Sequence, residues 1–513
     1  MPSLKTAPFF TQLSAFDDKP GLFLIDIPGV FMRTNIFVFM RYFSLRLVLA
    51  VSVGFSFLLS GFGQGYQIDL SIDGLDGAEL LLGFHLEGKT YVKDTAAYQG
   101  AGKYVIQGDN LLDRGMYFIV RDTEILFDLV IGGDQVFELQ TSEKGWVTSM
   151  KVIGDRDNQL FYESMNFNLE MRQKAAPFIE VLEDSTVSAS EKSSARKDMA
   201  GINASVTEYQ NSVIADFPES ILATVFKASK RVEIPEALAA AQDKQGKKER
   251  FHYYRDHYWD FFDLGDPVLL RMPNSTYKEK VDDYLDNLVV PNPDSIKYAI
   301  DELVAQARED EMTYRTLIWH LTIKYQTSKV MGLDEVYVHL VDTYFMTGEM
   351  DYWANDQLKK NLKEKADQYR NSLIGMVAPN LVLQDLERKP RALHDQPHEF
   401  TVVYFYDPDC GHCKKETPVL KAFVDSTAFD VGVYSVSADS SMSKMTNYIQ
   451  EVGLQSWTNT NGTKTYGINY QKVYDAFTTP TIYVLNRRKE IIAKKIGASQ
   501  LPKLLTNYRE IEK

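Results

Sequence analysis

The sequence predicts a multidomain chain with an N-terminal all-β domain, an α-helical middle domain and a C-terminal α/β domain. Apolar residues alternate with polar ones through residues 66–165 and follow helical spacing through 166–375. Through 376–513, buried strands alternate with helices. The length of 513 residues gives room for about three domains of ordinary size. With 44% hydrophobic residues, the chain has enough apolar side chains for each domain to bury a core.

The charge of the chain argues against one class of partner. The formal net charge is −14, whereas a nucleic acid backbone requires a basic face. We therefore expect no nucleic acid partner. A net acidic surface otherwise serves solubility.

Residues 40–65 have the pattern of a secretory signal peptide. Arg41 and Arg46 give a basic start, thirteen apolar residues follow over 47–59, and small residues follow over 60–64. Because a bilayer span needs roughly 20 apolar residues, this segment is short for an anchor. We predict an exported protein of the periplasm or cell envelope. An N-terminal membrane anchor that is not cleaved is the alternative.

Residues 1–39 precede this segment, although a signal peptide normally begins a chain. Met32 and Met40 are both possible starts. We therefore expect residues 1–39 to be a mis-assigned upstream extension of the true product.

Residues 66–165 predict a small antiparallel sandwich or barrel. Apolar residues alternate with polar ones from Tyr66 to Ile72, as in a half-buried strand. Gly-Asp, Asp-Gly and Gly-Gly turns separate further short apolar runs at 104–106, 116–120, 125–131 and 136–139.

Residues 166–375 predict a helical domain. Apolar stripes at helical spacing occur within 296–307, 336–344 and 358–373. The polar stretch 244–250 predicts a loop. The aromatic segment 251–262 contains His252 and His257, whose spacing of five does not suit two metal ligands on one helix face. An aromatic core or an interdomain contact is the preferred interpretation.

Residues 376–513 predict strands alternating with helices. The run 400–406 is apolar throughout, which is typical of a strand buried on both faces. A helix is predicted from residue 411 to about 424. Further elements are a strand at 431–436, a hairpin of 481–485 and 490–493, and a last helix over about 500–508.

The chain contains only two cysteines, and they form the motif Cys410-Gly-His-Cys413. A disulfide between them would close a very small loop, which contributes little to stability. A zinc site would need two further ligands, and covalent haem attachment would need a histidine where Lys414 stands. The motif therefore predicts thiol–disulfide exchange, with no metal and no cofactor.

The position of the motif between a buried strand and a helix assigns a role to each thiol. Cys410 at the helix N-terminus is the predicted nucleophile, because the helix dipole favours its thiolate. Cys413, one turn further, is predicted to resolve the mixed disulfide. We expect Gly411 and His412, between them, to tune the pair. Asp407 and Asp409 oppose a second anion, but a turn role is preferred for both.

Three motifs lie in order along the C-terminal region: Gly375-Met-Val-Ala-Pro379, Cys410-Gly-His-Cys-Lys-Lys-Glu-Thr-Pro418 and Thr478-Thr-Pro-Thr-Ile-Tyr483. With them, residues 376–513 resemble the thioredoxin-fold domain of the TlpA/ResA-like group of exported bacterial thiol–disulfide oxidoreductases. Two departures stand out. Asp409 replaces the usual aromatic residue, and Tyr404 stands where thioredoxin itself has a buried aspartate.

The resemblance implies further site residues. Pro480 takes the position of a cis proline that, with Thr479, forms a backbone platform for substrate; a simple turn proline is the alternative. Glu416 matches the acid of the CxxCxxE pattern and lies three residues after Cys413, on one helix face. It either accepts the proton of the buried thiol or is a first-turn glutamate favoured by the helix dipole.

The other regions also resemble parts of exported thioredoxin-like proteins. The β region, which ends in residues 152–161, resembles an N-terminal domain that precedes thioredoxin-like domains in some Gram-negative bacteria. The helical region, with residues 334–344, resembles an uncharacterised domain of the same proteins. Neither resemblance implies an activity.

Three functions follow as hypotheses. The first is an exported oxidoreductase that reduces protein disulfides, fed by an electron donor in the membrane that the family implies. The second is a disulfide oxidase or isomerase, which His412 makes conceivable. The third is a partner-binding protein that uses the C-terminal domain as a scaffold.

Overall fold

The computed structural model describes residues 65–511. The predicted signal peptide at 40–65 and the extension at 1–39 therefore lie outside the described residues, apart from Gly65. Among the residues described, no helix is both long and apolar enough to cross a bilayer.

The order of elements confirms the predicted fold class: a β-sheet, then helices, then an α/β domain. The first strands are β1 Tyr66–Asp73, β2 Leu80–Leu86, β3 Lys89–Gly100, β4 Lys103–Gly108, β5 Gly115–Arg121, β6 Glu124–Ile131, β7 Val136–Ser142 and β8 Lys151–Ile153. The helices that follow are α1 Arg156–Glu183, α2 Ala189–Asp216, α3 Ile221–Ser229, α4 Glu236–Ala240, α5 Lys244–Asp256, α6 Thr276–Asn287, α7 Pro293–Ala307, α8 Glu311–Gln326, α9 Asp334–Leu340 and α10 Asp356–Arg370.

The C-terminal domain alternates strands and helices. Its strands are β9 Val382–Asp385, β10 Pro390–Ala392, β11 Phe400–Tyr406, β12 Val431–Ser437, β13 Thr458–Thr465, β14 Thr481–Leu485 and β15 Ile491–Lys494. Its helices are α11 Gly411–Ser426, α12 Met442–Val452, α13 Tyr470–Val473 and α14 Leu501–Ile511.

The described chain divides into two compact units. The first contains residues 65–263 and 267–276, and the second contains 264–266 and 277–511. The predicted helical region 166–375 is thus shared: α1 to α5 group with the N-terminal sheet, and α7 to α10 group with the C-terminal domain.

The N-terminal sheet has eight strands in the order β6-β5-β2-β3-β4-β1-β7-β8. The even residues of β1 point into its core, as the alternation predicted. The predicted all-antiparallel arrangement is wrong for one pair, because β1 and β7 run parallel, with Gln67 opposite Val136. Alternation reports which face of a strand is buried and carries no information on the direction of its neighbour.

The predicted loop at 244–250 is also wrong, because these residues begin helix α5. The carboxylate of Asp243 accepts a hydrogen bond of 2.8 Å from the N–H of Gly246 and so caps the helix. The lysine, glutamine, glutamate and arginine that follow have high helix propensity. Their polarity marked an exposed helix face and not a break.

The C-terminal sheet has the strand order β10-β9-β13-β12-β11-β14-β15. β11 lies inside it, parallel to β12 and antiparallel to β14, and all seven of its residues are buried. Apolar cores cover both faces of this sheet. The predicted strand at 400–406 and the hairpin of β14 and β15 are confirmed.

Candidate functional site

Strand pairing brings the two sequence motifs together. β11 ends at Tyr406, just before the turn that leads to the cysteines and α11. β14 runs antiparallel to β11, with Thr481 opposite Phe405, so β14 begins where β11 ends. The segment before β14, Thr479-Pro480, therefore lies beside the cysteines. Its peptide bond is cis.

The turn between β11 and α11 is built by Asp407. Its carboxylate accepts the N–H of Asp409 at 2.8 Å, and its carbonyl oxygen accepts the N–H of Cys410 at 3.1 Å. This is the turn chemistry that the sequence predicted for Asp407. The Asp409 carboxylate pairs with Lys444 at 2.6 Å.

Cys410 is the N-cap residue of α11, but its side chain makes no capping hydrogen bond. It is half-buried and is present as a free thiol. Burial raises the pKa of this thiol. Hydrogen bonds from the backbone N–H and thiol of Cys413, from the side chain of Thr479 and from the N–H of His412 outweigh burial, so the pKa is lowered.

Cys413 is fully buried. Burial raises the pKa of its thiol to about 11, although the N–H of Asp407, 3.5 Å from its sulfur, opposes the shift. The two thiols thus differ in their preferred state. The half-buried Cys410 favours the thiolate, whereas the fully buried Cys413 favours the thiol.

A cluster of buried hydroxyl groups holds the first turn of α11. Thr417 donates to the carbonyl oxygen of Cys413 at 2.7 Å, and the hydroxyls of Tyr404 and Tyr448 contact Thr417 at 2.8 Å and 2.7 Å. Tyr448 also reaches the Cys413 carbonyl at 3.4 Å. Sequence reasoning missed Thr417 and Tyr448. The signal was Tyr404, whose hydroxyl lies in a fully buried strand and needs a hydrogen-bond partner there.

Glu416 does not contact the buried thiol by a hydrogen bond. Its carboxylate is half-buried and accepts the backbone N–H of Ala498, at the turn that precedes α14. No hydrogen bond joins it to Cys413 within residues 65–511. Its proposed catalytic role therefore stays a prediction.

Gly411 and His412 lie on the exposed side of the motif. A Cβ added at Gly411 would have no atom within 4 Å, so this residue leaves open space beside Cys410. In the described part of the chain the imidazole of His412 makes no hydrogen bond, and it is the backbone N–H of His412 that acts on the Cys410 thiol. The tuning role of the imidazole stays a prediction.

Thr479, which precedes the cis proline, contacts the predicted nucleophile Cys410. Its carbonyl oxygen accepts the Cys410 thiol at a sulfur–oxygen distance of 3.4 Å. Beside Pro480 lies a cleft of about 580 Å³. Its walls include Glu416, Phe477 and Gly497 from the C-terminal domain, and Lys365 from helix α10. The cleft thus includes Pro480 and Glu416 in its walls, and neither cysteine is among its lining residues.

Within residues 65–511, one group of carboxylates lies close enough to hold a cation. Ligand atoms of Asp407, Asp409 and Asp439 lie within 4.8 Å of one another. The ammonium of Lys444 bonds to Asp409 at 2.6 Å and to Asp439 at 3.0 Å. This lysine already balances part of the negative charge, and exposed acidic groups of this kind are common without a metal.

Two protein families match parts of the sequence. Residues 374–494 match the AhpC/TSA family, and residues 171–368 match a domain of unknown function, DUF5106. Comparison with curated proteins gives no match.

Solved structures similar to this chain come from Cytophaga and Bacteroides species. A domain of a possible thiol-disulfide isomerase from Cytophaga hutchinsonii is 32% identical, with 27% of this chain and 94% of that chain covered and a TM-score of 0.26. A thioredoxin-like protein from Bacteroides caccae is 18% identical, covering 54% of this chain and 98% of its own, with a TM-score of 0.43. A thiol-disulfide oxidoreductase from Bacteroides fragilis is 15% identical, covering 26% and 99%, with a TM-score of 0.23. Together with the sheet order and the position of the two cysteines, the family match shows that residues 374–494 form a thioredoxin-like domain of the AhpC/TSA family.

Proposed function

We propose that this protein is a thiol–disulfide oxidoreductase that reduces protein disulfides through Cys410 and Cys413. One observation carries the proposal. The half-buried thiol at the helix N-terminus has a lowered pKa, and its fully buried partner has a pKa of about 11. This difference gives one nucleophile and one protected resolving thiol.

The reaction balances with the two cysteines alone. The Cys410 thiolate attacks one sulfur of a substrate disulfide, forms a mixed disulfide and releases the first substrate thiolate. Cys413, after loss of its proton, attacks the Cys410 sulfur and releases the second substrate thiolate. The substrate gains two electrons, and Cys410–Cys413 becomes a disulfide. A reduced dithiol donor must then return the pair to its starting state.

Each remaining predicted residue has a place in this scheme. Thr479 and Pro480 offer backbone groups beside Cys410 to an extended substrate segment. Glu416 lies one turn beyond Cys413 and accepts its proton in the second step, if it leaves Ala498. Gly411 keeps the approach to Cys410 open. His412 favours the thiolate when it is protonated.

A specific observation also favours the opposite direction, that of an oxidase or isomerase. Stabilisation of the Cys410 thiolate favours the dithiol form, and this makes the disulfide the stronger oxidant. The redox potential decides between the two. A potential of about −270 mV, that of thioredoxin, supports the reductase. A potential of about −180 mV, that of protein disulfide isomerase, supports the oxidase or isomerase.

Reduction of a protein disulfide by the purified chain tests the proposal. We expect Cys410→Ser to abolish activity and Cys413→Ser to accumulate the mixed disulfide, which mass spectrometry detects. Val419→Ser is the matched control, because Val419 is exposed on the same helix. Activity that survives Cys410→Ser would refute the mechanism and leave the scaffold hypothesis.

Export and a membrane electron donor form part of the same proposal. They are supported by the pattern of residues 40–65 and by the resemblance to exported oxidoreductases. N-terminal sequencing of protein from the cell envelope tests the first point. A mature chain that retains residues 2–39 would refute cleavage after this segment.

A further inference from the structure

The cleft beside Pro480 has a wall that does not belong to the thioredoxin-like domain. Lys365 lies on α10, within the residues that match DUF5106, yet it lines the cleft together with Lys495 and Asp475. All three residues belong to the second compact unit. The helical region therefore contributes a side chain to this cleft.

The two lysines are held in place by the same groups. One oxygen of the Asp475 carboxylate accepts Lys365 at 3.0 Å, and the other accepts Lys495. Both ammonium groups also lie over the ring of Tyr369, whose centroid is 4.4 Å from Lys365 Nζ and 5.8 Å from Lys495 Nζ. A site of this kind is preorganised, so a ligand need not order two free lysine chains.

The hydrogen-bonding capacity of this cluster is unbalanced. Both oxygens of Asp475 are occupied, and its side chain is only 11% exposed. Each ammonium has three donors. Lys365 uses two of them, on Asp475 and on Gln368, whereas Lys495 uses one and has 48% of its side chain exposed. The surplus at this end of the cleft consists of cationic donors.

The other carboxylate of the cleft does not cancel this surplus locally. Glu416 belongs to the helix of the cysteines, and its carboxylate is bound to the N–H of Ala498. The cleft therefore has the Glu416 carboxylate, from the helix of the cysteines, and two ammonium groups, of Lys365 and Lys495, among its lining groups. Beside them Phe477 is 62% exposed and offers an apolar contact.

We propose that Lys365 and Lys495 form a carboxylate-binding subsite, which selects disulfide-bonded peptide segments with an acidic residue a few positions from the reacting cysteine. This inference rests on the proposed function for its biological meaning, but the binding itself needs no redox step. Lys365 is then a specificity-determining residue supplied by the helical region.

Binding of unreactive peptides tests the subsite. The probes are extended peptides with serine in place of the cysteine and with glutamate or glutamine two to four residues away, on either side. For one of the two sides, we expect the glutamate peptide to bind the wild-type protein about five-fold more tightly, as a partly exposed ion pair of about 1 kcal/mol gives. The ratio should fall as salt rises.

Variants assign the effect to the two lysines. Lys365→Met and Lys495→Met should each reduce the glutamate-to-glutamine ratio, and the double variant should bring it to one. Lys365→Arg should retain it. Lys360→Met is the matched control, because Lys360 lies on the same helix with 67% of its side chain exposed. Equal binding of both peptides by the wild-type protein, or a ratio that survives in the double variant, would overturn the subsite.

A parallel assay separates the two proposals. Reduction of the corresponding disulfide peptides is measured on the same protein samples. A charge preference in binding without any reduction would refute the proposed function and support the subsite. Reduction without a charge preference in binding would support the function and refute the subsite.

Discussion

Replacement of Thr417 by valine tests the hydroxyl cluster below the cysteines. Thr417 is fully buried, donates to the Cys413 carbonyl and accepts from Tyr404 and Tyr448. Valine has nearly the same volume, so no cavity forms. In this variant the Tyr448 hydroxyl still has the Cys413 carbonyl oxygen as an acceptor at 3.4 Å, whereas the Tyr404 hydroxyl loses its hydrogen bond. An unsatisfied buried hydroxyl costs about 1–3 kcal/mol, and we expect Thr417→Val to lower the free energy of unfolding by about 2–3 kcal/mol.

A double-mutant cycle isolates the contact. Tyr404→Phe removes the hydroxyl that Thr417→Val leaves unpaired, so the double variant should be more stable than the sum of the single effects predicts. The interaction energy should be about 1 kcal/mol or more. Urea unfolding of the reduced protein supplies the values.

Thr506→Val is the matched control for this cycle. Thr506 makes the same hydrogen bond to the carbonyl four residues earlier, at 2.8 Å, but on the exposed surface of α14. Its replacement should change stability by less than about 0.5 kcal/mol. A Thr417→Val protein as stable as the Thr506→Val control, or strict additivity with Tyr404→Phe, would refute the reasoning.

Three further predictions concern the thiols and the charges around them. At pH 7, iodoacetamide should label Cys410 and spare Cys413, because only the Cys410 pKa is lowered while that of Cys413 is about 11; mass spectrometry that finds both thiols labelled at one rate would contradict this. Lys494→Met should destabilise the protein by about 3 kcal/mol, because it leaves the half-buried Asp334 carboxylate without its ammonium partner, and Lys494→Met with Asp334→Leu should recover much of the loss; equal stability of the single and double variants would argue against it. Burial raises the pKa of Asp475, but hydrogen bonds from Lys495 and Lys365 outweigh it and hold the pKa below its usual value. The stability that this carboxylate gives is therefore present above its unfolded pKa of about 3.9 and lost as pH falls through the folded value, so Asp475→Asn should flatten the acid limb of a stability–pH curve.

Much of the fold could be predicted wherever an element buries apolar side chains on one face or on both. β1 and β11 show this, because alternation and a continuous apolar run respectively reveal their burial. β13 could not be found in this way, since its buried residues are polar. Thr460 and Asn459 satisfy their side chains by hydrogen bonds to Ser435. β3 was missed because most of its residues are exposed.

Some residues of the candidate site could likewise be predicted from the sequence, and others could not. Cys410, Cys413 and the segment Thr479-Pro480 are motif residues, and local sequence is enough to find them. Thr417 and Lys365 depend on contacts with residues far away in the chain, such as Tyr448 and Asp475. Nothing in the sequence around either residue specifies those partners. A threonine within a helix and a lysine on an exposed helix are ordinary in isolation.

The same long-range contacts decide how the thiol chemistry must be studied. Lys494, at the end of β15, is 4% exposed and depends on Asp334 and on the carbonyl of Ser372, which both precede residue 376. Removal of the helical region would take away both the carboxylate and the carbonyl oxygen that bind this ammonium. Lys365 would be lost from Asp475 and from the cleft at the same time. Residues 374–494 are thus enough to match the family. Side chains of this domain nevertheless depend on ion pairs with the helices that come before it.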